Sequence, residues 1–95
     1  MREYELLVLI DPDAEEQQIN GVAERIGEIL SSAGGEVEKT DHWGRRKLAF
    51  EIDHKAEGYY MLVTCRAEQD SLAELDRVLS LADEVLRFKI VRKAA

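Results

Sequence analysis

The chain is poor in cysteine, proline, histidine and aromatic residues, and each shortage excludes something. Its single cysteine, Cys65, has no partner for an internal disulfide, which points to a reducing compartment, the cytoplasm. His42 and His54 are the two histidines, and neither stands at metal-ligand spacing to the other or to Cys65, so no metal is expected. The longest apolar runs are five residues, against the ~20 that a bilayer span needs, so no membrane partner is expected. In the opening MREYELLVLID the apolar run follows two acids and no small-residue cleavage site comes after it, so it does not read as a signal peptide. Gly34-Gly35 follows a helical pattern instead of opening one, so it is no phosphate loop. No nucleophile stands beside a base, and Cys65 lies inside an apolar alternation as a small core residue. Neither an enzyme, nor a cofactor, nor a small-molecule substrate is expected.

What is present is enough for one core. Ninety-five residues, 45% of them apolar, make a single domain over 1–95. Residues 3–10 alternate as a strand, with Tyr4, Leu6, Val8 and Ile10 on one face and Leu7 and Leu9 on the other, a pattern that suits a central strand. Asp11-Pro12-Asp13 is a turn; Asp13 is expected to cap a helix from about Ala14 to Ala33, with Glu16 at the capping-box position. Ile19, Val22, Ala23, Ile26, Ile29 and Leu30 form its apolar stripe, and Gly34-Gly35 ends it. Gly21 and Gly27 inside the helix are expected to allow close packing on a sheet.

Residues 36–52 read as a long strand with a phase change. Val37 and Trp43 share odd parity, whereas Leu48, Phe50 and Ile52 share even parity, and Gly44 is the natural site of a bulge between them. Residues 53–58 read as a loop, followed by the strand YYMLVTCRA. A second helix over 68–82 carries Leu72, Leu75, Val78, Leu79 and Ala82 and is capped by Asp70 or Ser71, the latter boxed with Glu74. The last strand is VLRFKIVRK, with Leu86, Phe88 and Ile90 toward the core and Arg87 and Lys89 opposite. The order β-α-β-β-α-β predicts an α+β, ferredoxin-like fold: a four-stranded antiparallel sheet with two helices on one face, strands one and three in the middle.

Charge is segregated along this plan. The net charge is −7, yet residues 11–33 and 68–84 hold twelve acids and two cations, and the rest of the chain holds eleven cations and eight acids. The helices are acidic and the sheet is mildly basic. Screening over a Debye length of about 8 Å lets one side of an acidic protein present a positive surface. Solvated helix faces and lysine-guarded sheet edges would give the same pattern. The run Arg45-Arg46-Lys47 beside the bulge, and the acid-free segment 86–93, favour a functional reading. Trp43 is placed to brace the bent strand, and its ring could also stack on a base. The stretch Glu57-Gly58-Tyr59-Tyr60-Met61-Leu62 lacks the basic-Gly-aromatic-small-aromatic pattern of the base-stacking RNA-recognition module, so Tyr59 and Tyr60 read as packing residues.

Three segments, MREYELLVLIDP, WGRRKLAFEIDHKAEGYY and LRFKIVRK, resemble bacterial small-subunit ribosomal protein six, and the spacing agrees over essentially the whole chain. The resemblance implies a structural protein of the small ribosomal subunit, in the cytoplasm. Its partners would be the central domain of the small-subunit ribosomal RNA and ribosomal protein eighteen. It further implies that Arg2, Tyr4, Trp43, Arg45, Arg46, Lys47, Arg87, Lys89 and Arg92 face RNA or partner. The chain departs from some family members at Lys93-Ala94-Ala95, where a longer, often acidic tail would follow. The alternative is a ferredoxin-like homodimeric regulatory or small-molecule-binding module.

Overall fold

Strand β1 (Arg2–Ile10) lies between two neighbours, β3 (Lys55–Ala67) on one side and β4 (Val85–Arg92) on the other, all antiparallel. Strand β2 (Glu36–Ile52) pairs with the outer side of β3, giving the order β2-β3-β1-β4. With α1 (Glu16–Ser32) and α2 (Gln69–Leu81), the computed structural model, which describes residues 1–93, has the predicted ferredoxin-like arrangement. The departure at Ala94-Ala95 lies outside the described residues.

The core sits between one sheet face and the helices. Tyr4, Leu6, Val8 and Ile10 of β1 and Met61, Val63, Cys65 and Ala67 of β3 face it. Val22, Ile26 and Leu30 of α1 and Leu75 and Leu79 of α2 cover them at four-residue spacing. Full burial of one such aliphatic side chain is worth about 1.5–3 kcal/mol over exposure. Burial pushes the Cys65 thiol above its ordinary value, with the Glu38 carboxylate adding to the shift.

Helix ends differ from the expected ones. Asp13 does not cap α1. The turn takes its N–H to the Asp11 carboxylate (2.9 Å), and the helix starts at Glu16 behind an N-cap Glu15. Gln18 Oε1 accepts the Glu15 N–H at 2.9 Å, half of a capping box. The far end matches: Gly34 has φ +83°, its N–H reaches Ser31 O (3.1 Å), and Gly35 N–H reaches Leu30 O (2.8 Å), a Schellman closure. A Cβ on Gly21 or Gly27 would touch nothing, so close packing does not account for either glycine. In α2 the N-cap is Glu68. Ser71 therefore falls inside the first turn and turns inward, where its hydroxyl is buried with no hydrogen-bond partner among the described residues.

Strand β2 is bulged twice. His42 opposes Met61 and Gly44 opposes Tyr60, so Trp43 is the extra residue and Gly44, at φ +83°, is the expected bulge. A second shift at Glu38, between the Val37–Cys65 and Lys39–Thr64 pairs, puts Val37 on the helix side and Trp43 on the other. Residues 53–58 are not a loop: Asp53 (φ 50°) and His54 (φ 65°) alone make the reversal, and β3 resumes at Lys55. Both central residues at positive φ is the hairpin-compatible geometry, which Asp and His tolerate better than most. On β4, a shift opposite Leu9–Ile10 makes Val85, not Leu86, the core-facing residue beside Phe88 and Ile90.

Candidate nucleic-acid interface

Alternation along paired strands sorts the candidate residues onto two faces. Arg2, Tyr4 and Arg92 lie on the helix side at one end of the sheet, where Tyr4 opposes Arg92. Tyr4 and Arg92 line a groove of about 890 Å³ with Ile90, Leu72, Asp76 and Arg77. Tyr4 is only 7% exposed, and most of its ring packs in the core beside Leu6 and Cys65.

The run 45–47 is split by the strand. Arg45 opposes Tyr59 on the helix side and borders a cleft of about 400 Å³ with Ala14, Glu16, Ile19, Asn20 and His42. There His42 Nδ1 and the Tyr59 hydroxyl are 2.8 Å apart. Arg46 takes the opposite face, with its guanidinium carbon 5.9 Å from the centre of the Trp43 ring. Lys47 returns to the side of Arg45, opposite Glu57. The three cations therefore do not form one patch.

The open face carries the rest. Rows run across it from β2 to β4: Gly44–Tyr60–Leu9–Arg87, and Asp41–Leu62–Leu7–Lys89. Trp43 is 44% exposed and lies 6.3 Å from Tyr60, centre to centre, at a 34° tilt. It links β2 to β3, as expected of a bracing residue, and leaves part of its surface open. Arg46, Trp43 and Tyr60 on one margin, and Arg87 and Lys89 on the other, flank an apolar strip of Leu7 and Leu62 over the buried Leu9. This surface combines cations, an accessible ring and apolar area, the three features with which proteins bind single-stranded nucleic acid or a protein partner.

Ion pairing separates the cations further. Arg25, Lys39, Lys55, Arg77 and Lys93 are paired with carboxylates, among them Arg77–Glu74 at 2.6 Å and Arg25–Glu84 at 3.8 Å. Among the described residues, Arg2, Arg45, Arg46, Lys47, Arg87, Lys89 and Arg92 have no such pair. Sequence reasoning missed Tyr60, which shares the face of Leu62; Arg66, also unpaired; and Phe50, 84% exposed near the hairpin tip. The signal for Tyr60 is its parity, opposite to that of the core residues Met61 and Val63. Among the described residues no three His, Cys, Asp or Glu side chains stand together to hold a metal, and no helix is long and apolar enough to cross a membrane.

Comparison with known proteins bears on the fold and the family. A family model described as Ribosomal protein S6 matches residues 3–92. A small ribosomal subunit protein bS6 of Arthrobacter sp. (strain FB24) is 46% identical over 92 residues, 97% of this chain and 91% of the relative. The bS6 protein of Acidothermus cellulolyticus is 45% identical over 95 residues, 100% of this chain and 99% of the relative. The crystal structure of 30S ribosomal protein S6 from Thermotoga maritima matches with a TM-score of 0.88 at 29% identity, over 97% of this chain and 87% of that one.

Proposed function

As the chain belongs to the Ribosomal protein S6 family, a component of the small ribosomal subunit, we propose that it binds the central domain of the small-subunit ribosomal RNA together with ribosomal protein eighteen. It is a structural protein that works in the cytoplasm, in the ribosome. The observation that carries the reading is the division of its cations. The candidate contact cations are free of ion pairs, while both cations on the acidic helices, Arg25 and Arg77, are paired, as are Lys39, Lys55 and Lys93 outside them. Free cations can release counterions from phosphate; paired ones are already neutralised.

A net charge of −7 opposes RNA binding by the chain alone. A basic protein partner removes that opposition. The apolar strip of the open face, with Trp43 and Tyr60 at its margin and the protruding Phe50, supplies the area such a partner would cover. Free cations around that strip then meet phosphate. Family membership leaves the alternative, a homodimeric regulatory module, with no observation of its own. The test is a titration of the chain against the central-domain RNA fragment with and without ribosomal protein eighteen. Binding about tenfold or more tighter with the partner is expected; equal affinity in both would remove the shared surface.

A further inference from the structure

The hairpin of β2 and β3 outruns the sheet. Pairing of β1 with β3 stops at Ile10–Tyr59, so beyond Tyr59 the two strands form a ribbon with no third strand beside it. Within that ribbon the β2 register slips between Lys47 and Ile52, so the pairing that would stiffen it is incomplete. Two-stranded ribbons twist strongly and are marginal alone. The direction of this arm, which carries Lys47 and Phe50, therefore depends on what ties it back to the domain.

One tie is polar and lies at the start of β3, beside the reversal. Lys55 Nζ donates to Asp13 Oδ2 at 2.7 Å and stands 3.7 Å from Asp11 Oδ1. The receiving turn is itself held. Asp11 N–H donates to Glu84 O (2.8 Å), Ala14 N–H to Asp11 O (3.0 Å), and Asp13 N–H to Asp11 Oδ1 (2.9 Å). An ion pair between a two-stranded ribbon and a pinned turn acts as a strut, even where its contribution to global stability is small.

We propose that Lys55 is a positioning residue for the contact arm: by bridging to Asp11 and Asp13 it fixes the direction in which the β2–β3 tip leaves the sheet. The inference rests on the arm being part of the contact surface proposed above. The bridge leaves its mark on both partners. The Lys55 hydrogen bond holds the Asp13 carboxyl below its ordinary value, with Arg45 adding to the effect, and Asp13 followed by Asp11 holds the Lys55 ammonium above its own. Lys55 touches neither RNA nor partner in this scheme. It acts through the residues whose direction it sets.

Amide hydrogen exchange on the full chain, followed residue by residue, tests this. In Lys55→Met, which keeps the stem and loses the charge, amides of residues 48–57 should exchange at least about twofold faster. Amides of β1 and β4 and the denaturant midpoint should stay as in the wild type. Lys55→Arg should restore protection, and so should the charge swap Lys55→Asp with Asp13→Lys. Wild-type exchange of the arm in Lys55→Met, or no rescue by either charged variant, overturns the proposal. The same variants are then titrated against the RNA with ribosomal protein eighteen present. Weaker binding by Lys55→Met, recovered by Lys55→Arg, supports the positioning role. A loosened arm with unchanged affinity overturns that role and removes the arm from the contact surface, leaving the proposed RNA binding to rest on the sheet face.

Discussion

The Leu9 side chain occupies the space where Gly58 would carry a Cβ, and Leu48 closes over the same spot at 3.6 Å. This explains why Leu9, on the face away from the helices, is only 6% exposed. A methyl group at Gly58 would have to push a buried leucine aside where the arm leaves the sheet. Gly58→Ala should therefore cost about 1–3 kcal/mol, the range of overpacked sites, read as a lowered denaturant midpoint. Combined with Leu9→Ala, the loss should be less than the sum of the two, since the second change removes the clash. An unchanged midpoint for Gly58→Ala would mean that the face is looser than its packing indicates.

Gly21 and Gly27 predict the opposite sign. Both sit inside α1, neither has positive φ, and a Cβ at either meets open space. Helical glycine loses backbone entropy that alanine does not, roughly 0.5–1 kcal/mol. Gly21→Ala and Gly27→Ala should each stabilise the chain by about that amount, additively, in thermal or denaturant melts. A loss of stability from either would contradict the open space around that face of the helix.

Proton titration of Asp13 should report the arm strut. Its carboxyl is held below the ordinary value of 3.8, first by the Lys55 hydrogen bond and charge and then by Arg45. A depressed folded-state pKa adds stability that is fully present above the unfolded value and is lost as pH falls through the folded one. For Lys55 the shift is upward, so its share is present below 10.5 and fades as pH rises through the folded value. The strut thus holds through neutral pH and loosens at both extremes. Carboxyl-carbon NMR shifts should place the Asp13 midpoint below 3.8 in the wild type and move it upward in Lys55→Met. Identical midpoints in the two chains would show that the pair does not persist in solution.

Much of the fold is legible in the pattern, and the failures have separate causes. The stripe of Val22, Ile26 and Leu30, and the alternation of Leu6, Val8 and Ile10, are periodic signals, and they placed the core correctly. The clash of parity between Trp43 and Leu48 locates the bulge at Gly44. The bulge at Glu38 is invisible, because neither Val37 nor Lys39 carries a glycine or proline signal. The Asp53-His54 reversal is hidden for a similar reason: it uses two tolerant side-chain types in place of an Asn-Gly pair. Tyr4 is instructive in another way. Its motif places it among contacts and its alternation places it in the core, and the core is where it lies. The candidate site was legible as a set of cations but not as faces. Adjacent residues such as Arg45 and Arg46 point apart on a strand, and two bulges decide which way.

The division between free and paired cations is tested most directly by the salt dependence of assembly. The measurement is the affinity of the chain, with ribosomal protein eighteen, for the central-domain RNA fragment across a salt series. Arg87→Ala and Lys89→Ala, free cations on the open face, are compared with Arg25→Ala and Arg77→Ala, paired on the helices. Each lost phosphate contact should reduce the slope of log affinity against log salt by about 0.7 to 0.9. The account predicts that reduction for Arg87→Ala and Lys89→Ala and an unchanged slope for Arg25→Ala and Arg77→Ala. Wild-type slopes in the first two, or equal reductions in all four, would contradict it.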